Sequence, residues 1–309
     1  MKIKGVSYYK NHQEATAFLE DWATRLQKLN CSWYENIIIH TSLGKTRVWG
    51  YNIDKKDVET IVVFPGFRTS VLFWDLDNAL AELKKKYRIY LIETNGQPNL
   101  SDGGSPDIKS ADYGIWATEV LYQLSVNKAT VLGASFGAIV CMKLCLVSPE
   151  MVKRAVLLSP AGLTGFSTAL SNLYYNFLPI LLKSKASVRQ FIDKVAMHPP
   201  VHNLSMHHKQ LLEDFILFTM LNFKNDAALP KPMKADELRA IETEIHLVLG
   251  EKDRLFPYRK SMKIAQKHIR ALGEIYVVSD SGHGIETSLE ATRIVERILT
   301  ASKAEILTS

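Results

Sequence analysis

The sequence predicts an α/β fold with a mostly parallel central sheet flanked by helices and an inserted helical cap. Three observations lead to this prediction. Short apolar runs alternate with helical patterns along most of the chain. Residues 60–64 are a continuous apolar run, which is typical of a strand buried on both faces of a parallel sheet. Between residues 159 and 240 the alternation stops, and helical stretches rich in leucine and aromatic residues replace it.

Before the sheet, apolar residues at helical spacing predict a helix over residues 13–29. Two extended runs, 33–40 and 47–53, are joined by residues 41–44 in a hairpin-like pattern and predict an antiparallel pair of strands. The predicted parallel strands and helices then alternate. Up to the cap they are the strands 60–64, 88–92 and 155–158, the helices 74–85 and 113–124, and the strand and helix on either side of residue 135.

The cap, over residues 159–240, holds helix-like stretches at 170–182 and 210–223. Alternation resumes with strands at 244–249 and 275–278 and helices at 258–268 and 286–299. The predicted organisation is therefore a core made of residues 1–158 and 241–309, with the cap inserted between them.

Composition excludes some classes of function. The 309 residues are 47% hydrophobic and 23% charged, which indicates a globular chain with a sizeable core. The net charge of +6 arises from 38 basic and 32 acidic residues scattered along the chain, so we expect no nucleic-acid partner. Lys84, Lys85 and Lys86 end a predicted helix, where we expect them to be solvated.

The N-terminus has no signal-peptide pattern and no apolar run is long enough to span a membrane, so we expect a cytoplasmic protein. Cys31, Cys141 and Cys145 lack further Cys or His residues at the spacing of a zinc site. We therefore expect neither a metal nor a cofactor. The expected partner is a small-molecule substrate, and a homo-oligomer is left open.

The chain contains Gly133-Ala134-Ser135-Phe136-Gly137 between a predicted strand and a predicted helix. A serine at such a sharp turn has a strained backbone and an exposed hydroxyl, and the flanking glycines avoid collisions that a Cβ would cause. Ser135 is therefore a candidate nucleophile. The alternative is a serine that caps the following helix.

A serine nucleophile needs a histidine base and an acid that orients it. Asp253 follows the strand 244–249, and His283 follows the strand 275–278 between two glycines. This gives the order Ser, Asp, His that such sites use. Glu251 and Asp280 are alternatives for the acid, but Asp280 is too close in sequence to His283 to reach its ring easily.

An oxyanion would be stabilised by two backbone N–H groups. One belongs to Phe136, directly after Ser135, and the other is assigned to Phe67 in the loop Phe64-Pro65-Gly66-Phe67-Arg68. The neighbouring Arg68 is interpreted as a helix cap, a contact for an anionic substrate or a solvated surface residue.

These motifs resemble the α/β-hydrolases with a helical cap, in their bacterial carboxylesterase-like branch, from residue 59 to the C-terminus. Where such proteins often have His-Gly before the oxyanion donor, this chain has Pro65-Gly66, and Glu93 replaces a frequent aspartate. The resemblance implies acyl transfer to Ser135, with His283 as the base, and hydrolysis of an ester of an apolar substrate.

The same three residues also serve carbon-carbon bond hydrolases, thioesterases and acyltransferases, and a non-catalytic protein on this fold is a further alternative. Aromatic and aliphatic residues of the cap are expected to cover an apolar pocket, in addition to packing the cap itself. They are Phe166, Leu173, Tyr174, Phe177, Phe215 and Phe218.

Overall fold

The structure is a computed structural model that describes residues 1–198 and 203–301, without the side chains of residues 171–173, 176, 177 and 180. The strands in the described residues are β1 Gly5–Val6, β2 Tyr8–Tyr9, β3 Glu35–Thr41, β4 Gly44–Tyr51, β5 Thr60–Phe64, β6 Arg88–Ile92, β7 Gly104–Ser105, β8 Ala129–Ala134, β9 Val152–Leu158, β10 Phe223–Lys224, β11 Ile245–Gly250 and β12 Leu272–Val278. The α-helices there are α1 His12–Leu29, α2 Ala81–Lys86, α3 Asp112–Gln123, α4 Phe136–Val147, α5 Leu170–Leu182, α6 Lys185–Phe191, α7 Met206–Asn222, α8 Ala235–Arg239, α9 Tyr258–His268 and α10 Leu289–Thr300.

Eight of these strands form one sheet in the order β12-β11-β9-β8-β5-β6-β4-β3. Neighbouring strands from β12 to β6 are parallel, while β4 is antiparallel to both β6 and β3. The predicted α/β fold and the antiparallel pair are thus confirmed. Because parallel strands point the same way, the loops after β5, β8, β11 and β12 meet at one edge of the sheet.

Each central strand supplies apolar side chains to both faces of the sheet. In β5, Val62 and Phe64 pack in the core under α3 and α4, whereas Ile61 and Val63 pack in the core under α1 and α10. All four residues are buried, as the continuous apolar run predicts. Full burial of each such side chain contributes about 1.5–3 kcal/mol to the stability of the fold. The strand ends that carry the loops are therefore held rigidly.

The predicted helix over 74–85 is wrong in its first half. The span Val71–Asn78 consists of 3₁₀ turns interrupted by non-helical backbone at Asp75, Leu76 and Asp77. The helix α2 begins only at Ala81, because Asp77 and Asn78 have φ of +53° and +54°. Asp75 explains the break: its carboxylate accepts hydrogen bonds from the Leu80 N–H and from Lys84 Nζ, which turns the chain between the two helices. Similarly, the last helix starts at Leu289, capped by Ser288, rather than at 286.

Lys84 is not solvated as the sequence suggested. Its ammonium lies 2.5 Å from the Asp75 carboxylate, and both side chains are almost fully buried. Burial lowers the pKa of Lys84, and Asp75 acts against that effect. Lys85 and Lys86 are the solvated members of the run, as expected of cations at a helix C-terminus.

The segment between β9 and β11 packs against the N-terminal part of the chain. The ring of Phe215 in α7 lies 5.0 Å from the ring of Trp22 in α1, and the Trp22 indole N–H donates to the Leu211 carbonyl. The short pair β2–β10 adds a further link. The division into core and cap at residues 159 and 240 stays a prediction. Within the described residues, we find no helix with the length and apolar character that crossing a membrane requires.

Candidate active site

Ser135 lies at the sharp turn between β8 and α4, with φ of +48° and ψ of −109°. The flanking glycines allow this turn. A Cβ on Gly133 would lie 2.5 Å from the backbone of Gly137, and a Cβ on Gly137 would lie 2.3 Å from the Phe64 carbonyl oxygen. Only glycine permits so close an approach of strand and helix, so these positions hold the serine at the edge of the sheet.

The structure brings Ser135, His283 and Asp253 together. His283 Nε2 lies 2.9 Å from Ser135 Oγ, and His283 Nδ1 lies 2.9 Å from Asp253 Oδ2. The second carboxylate oxygen of Asp253 accepts hydrogen bonds from the backbone N–H groups of Leu255 and Phe256. These bonds fix the carboxylate in the orientation that contacts the imidazole.

Glu251 and Asp280, the other two candidates for the acid, make different contacts. Glu251 accepts the Asp280 N–H, and both acids lie within 4 Å of Lys252. A further acid, Glu286, lies buried near His283 in the 3₁₀ turn Ile285–Thr287. Sequence reasoning missed it because that segment matches a helical pattern.

The protonation of His283 reflects its neighbours. Burial lowers the pKa of the imidazole, but Asp253, and to a smaller extent Glu286, raise it, and the net result is a pKa above the ordinary value. Burial also raises the pKa of the Glu286 carboxyl. A carboxylate beside the imidazole stabilises the imidazolium that forms when histidine accepts a proton.

The loop after β5 lies over Ser135. A Cβ built on Gly66 would lie 3.8 Å from Ser135 Cβ, and the rings of Phe67 and Phe136 meet edge to face at 5.9 Å. The Arg68 N–H donates to Gln97 Oε1, so it is not available to an oxyanion. The structure thus brings the rings of Phe67 and Phe136, the residues of the two predicted donors, into contact with each other, and their role at an oxyanion stays a prediction.

Glu93, the residue after β6, anchors this loop through buried hydrogen bonds. Its carboxylate is buried and accepts hydrogen bonds from Ser70 Oγ at 2.6 Å, the Val71 N–H at 3.1 Å and the Trp49 indole N–H at 3.3 Å. Burial raises the pKa of Glu93, and these hydrogen bonds act against that effect. The one sequence signal for this role is a charged residue directly after the run Ile-Tyr-Leu-Ile at 89–92.

The segment that precedes residue 199 contacts the loop of His283. Gly284 donates its N–H to the Ala196 carbonyl oxygen at 2.5 Å, and a Cβ on Gly282 would lie 2.9 Å from the Met197 carbonyl carbon. The position of the imidazole therefore depends on the π-helical turn Ile192–Ala196.

The aromatic residues named from the sequence have different positions. Phe166 packs edge to face on Phe256, whose ring lies 5.4 Å from the His283 ring. Phe215 is fully buried, Phe218 stacks on Phe18, and Tyr174 is 59% exposed. The side chains of Leu173 and Phe177 lie outside the described part of the chain.

In residues 1–198 and 203–301, no three His, Cys, Asp or Glu side chains are grouped so that they could hold a metal ion. Cys141 and Cys145 are buried in α4, and burial raises the pKa of both thiols. A neutral thiol inside a core behaves as a small apolar side chain. The expectation that no metal or cofactor is needed stays a prediction.

Comparison with known proteins places this geometry in a family. Two relatives from Bacillus subtilis (strain 168) are the uncharacterized carboxylesterase nap, 25% identical over 97% of this chain and 94% of its own, and carboxylesterase YbfK, 22% identical over 86% of each.

Among solved structures, carboxylesterase CesB (YbfK) has a TM-score of 0.76 at 19% identity over 93% of this chain and 98% of its own. Naproxen esterase from Bacillus subtilis has a TM-score of 0.74 at 22% identity over 93% of this chain and 99% of its own. The model of the Alpha/beta hydrolase family matches residues 61–296. The chain therefore belongs to the alpha/beta hydrolase family, and it is a hydrolase that resembles the bacterial carboxylesterases.

Proposed function

We propose that the protein is a serine carboxylesterase that acts through an acyl-enzyme on Ser135. The observation that carries the proposal is the continuous chain of contacts from Ser135 Oγ through the His283 ring to the Asp253 carboxylate, at 2.9 Å each. The relatives nap and YbfK, both named as carboxylesterases, support the reaction type.

In the proposed mechanism, His283 Nε2 accepts the Ser135 hydroxyl proton while Oγ attacks the ester carbonyl. Asp253 holds the ring with Nδ1–H toward its own carboxylate and stabilises the imidazolium. The N–H groups of Phe67 and Phe136 are the proposed donors to the oxyanion. His283 then protonates the departing alcohol.

A water molecule, activated by the same imidazole, releases the acid from the acyl-enzyme in the second half of the reaction. The residues inserted between β9 and β11 act in this proposal as a cap that shapes the substrate pocket. Phe166 and Phe256, beside His283, are the proposed apolar wall of that pocket. The cytoplasm stays the predicted compartment, and a homo-oligomer stays open.

Hydrolysis of a carbon-carbon bond is the second candidate. One relative, 2-hydroxymuconate semialdehyde hydrolase from Pseudomonas putida, is 27% identical over 61% of this chain and 68% of its own. The carboxylesterase relative nap spans nearly the whole chain, which is why ester hydrolysis is the first candidate.

The test compares hydrolysis of p-nitrophenyl butyrate by the parent and by Ser135→Ala, His283→Ala and Ser159→Ala. We expect the first two variants to lose on the order of 10³-fold or more in kcat. Ser159 is the matched control, since it is buried at the end of the next strand and has φ of +40°. The proposal fails if Ser135→Ala retains the parent's kcat, or if Ser159→Ala loses as much.

A further inference from the structure

Arg68, the residue after Phe67, has a half-buried side chain without a partner. Its guanidinium makes neither a hydrogen bond nor an ion pair within the described part of the chain. Burial lowers the pKa of this guanidinium. Arginine side chains that lose contact with water are normally paired with an acid, because an isolated buried charge is costly. The loop keeps a cation where no residue of the described chain neutralises it.

Gln97 fixes the backbone of Arg68, and its own amide nitrogen has no partner in the described structure. Its side-chain oxygen accepts the Arg68 N–H at 2.8 Å. Since a backbone N–H can only donate, this contact fixes which end of the amide is oxygen and which is nitrogen. The remaining Nε2 is fully buried and has no hydrogen-bond partner in the described structure, and the whole side chain is only 1% exposed. Buried amide groups without partners are rare in folded proteins.

The backbone of Arg68 lies close to the proposed nucleophile. Arg68 is two residues after Gly66, and a Cβ on Gly66 would lie 3.8 Å from Ser135 Cβ. Consecutive Cα atoms are about 3.8 Å apart, so the Arg68 Cα lies within about 8 Å of the Gly66 Cα. A group of the substrate bound at Ser135 is therefore within the reach of a long arginine side chain.

We propose that Arg68, held in place by the Gln97 amide, forms a subsite for a carboxylate of the substrate, so that preferred substrates are esters with a carboxylate near the scissile bond. The guanidinium presents parallel N–H groups that match a carboxylate, and the Gln97 amide oxygen, which accepts the Arg68 N–H, fixes the backbone of this residue. This inference rests on the proposed esterase function. It adds a substrate class to that function and leaves the chemistry at Ser135 unchanged.

The test uses three esters. In p-nitrophenyl monosuccinate the carboxylate is in the acyl part, and p-nitrophenyl butyrate is its neutral counterpart of equal chain length. In 4-carboxyphenyl butyrate the carboxylate is in the leaving group. The readout is the ratio of kcat/KM for each anionic ester to that for p-nitrophenyl butyrate, at low and at high salt.

We expect one anionic ester to be preferred by the parent, which identifies the part of the substrate that carries the carboxylate. Arg68→Met should lower that ratio on the order of 10- to 100-fold. Gln97→Glu keeps an oxygen for the Arg68 N–H but adds a negative charge next to Arg68, which competes with the substrate carboxylate, so it should lower the ratio as well. Added salt should lower the ratio in the parent and much less in Arg68→Met.

The control is Arg293→Met, which removes the same charge from an exposed position on α10 and should leave the ratio unchanged. The inference is overturned if the parent hydrolyses the neutral ester but prefers neither anionic one, or if Arg293→Met lowers the ratio as much as Arg68→Met. If Arg68→Met does not fold, an unchanged ratio in Gln97→Glu overturns it. If the parent hydrolyses none of the three esters, both the proposed function and this subsite are rejected.

Discussion

Glu93 Oε1 lies 2.6 Å from Ser70 Oγ and thereby joins the end of β6 to the loop that carries Phe67. The second carboxylate oxygen accepts the Val71 N–H, so two donors of the same loop depend on one acid. In our account this pairing holds the proposed oxyanion donor in place without touching the substrate.

Glu93→Gln is expected to lower kcat about tenfold with a smaller change in KM, because one amide nitrogen then faces a donor and displaces the loop. Steady-state kinetics with p-nitrophenyl butyrate measure this split. The control is Glu59→Gln at the opposite end of β5, where the carboxylate is half exposed and pairs with Lys153. Equal losses in both variants, or a change in KM alone, would contradict the positioning role of Glu93.

The pH dependence of kcat/KM should report on His283. Only the neutral imidazole accepts the serine proton, so activity should rise with pH through the pKa of the free enzyme. Because Asp253 and Glu286 raise that pKa, the midpoint should lie above the ordinary histidine value of about 6.5. In Asp253→Asn the main raising influence is absent while burial still lowers the pKa, so the midpoint should fall. A midpoint that stays unchanged in Asp253→Asn would contradict the assigned contact.

The close packing of Gly282 on Met197 predicts a loss of rate without any change at the three proposed catalytic residues. In Gly282→Ala the new methyl group would lie 2.9 Å from the Met197 backbone, so the loop of His283 must shift. A displacement of about 1 Å at a catalytic group can cost on the order of 100-fold in kcat. Gly165→Ala is the control, since a Cβ there meets nothing within 4 Å. Parent-like kcat in Gly282→Ala would show that the contact does not position His283.

Substitution of Phe215 should affect stability, whereas substitution of Phe166 should affect substrate specificity. Phe215 is fully buried against Trp22 and Phe73, so Phe215→Ala should lower the free energy of unfolding by about 3–5 kcal/mol without changing the preferred acyl length. Phe166 is 40% exposed next to Phe256, so Phe166→Ala should lower kcat/KM for long esters about tenfold and leave the acetate ester nearly unchanged.

Denaturant unfolding and a series from acetate to decanoate esters measure both effects. If Phe215→Ala shifts the chain-length optimum while Phe166→Ala does not, the proposed pocket wall is wrong.

The sequence predicts the central sheet well because apolar runs such as Thr60–Phe64 and the glycines around Ser135 each admit one local structure. Prediction from the sequence fails where tertiary contacts, rather than the local pattern, determine the structure. Asp75 breaks a helical pattern by binding Leu80 and Lys84, and the two-residue strands of the N-terminus are too short for any periodicity.

The candidate site shows the same contrast between residues that a local pattern identifies and residues whose role depends on tertiary contacts. Ser135, Asp253 and His283 follow strands and could be named from motifs, since parallel strands bring their loops to one edge. Glu93, Gln97 and Glu286 could not be assigned roles in this way. Their roles depend on side-chain directions and burial, which a single sequence does not reveal.

The most direct test of the central claim is to map the residue that reacts with a fluorophosphonate, a reagent that phosphonylates activated serines. We expect the peptide that contains Ser135 to carry the label, in proportion to the loss of esterase activity, and we expect Ser135→Ala to remain unlabelled and folded. Labelling of any other serine, or full hydrolysis of esters by a protein whose Ser135 is completely modified, would contradict the account.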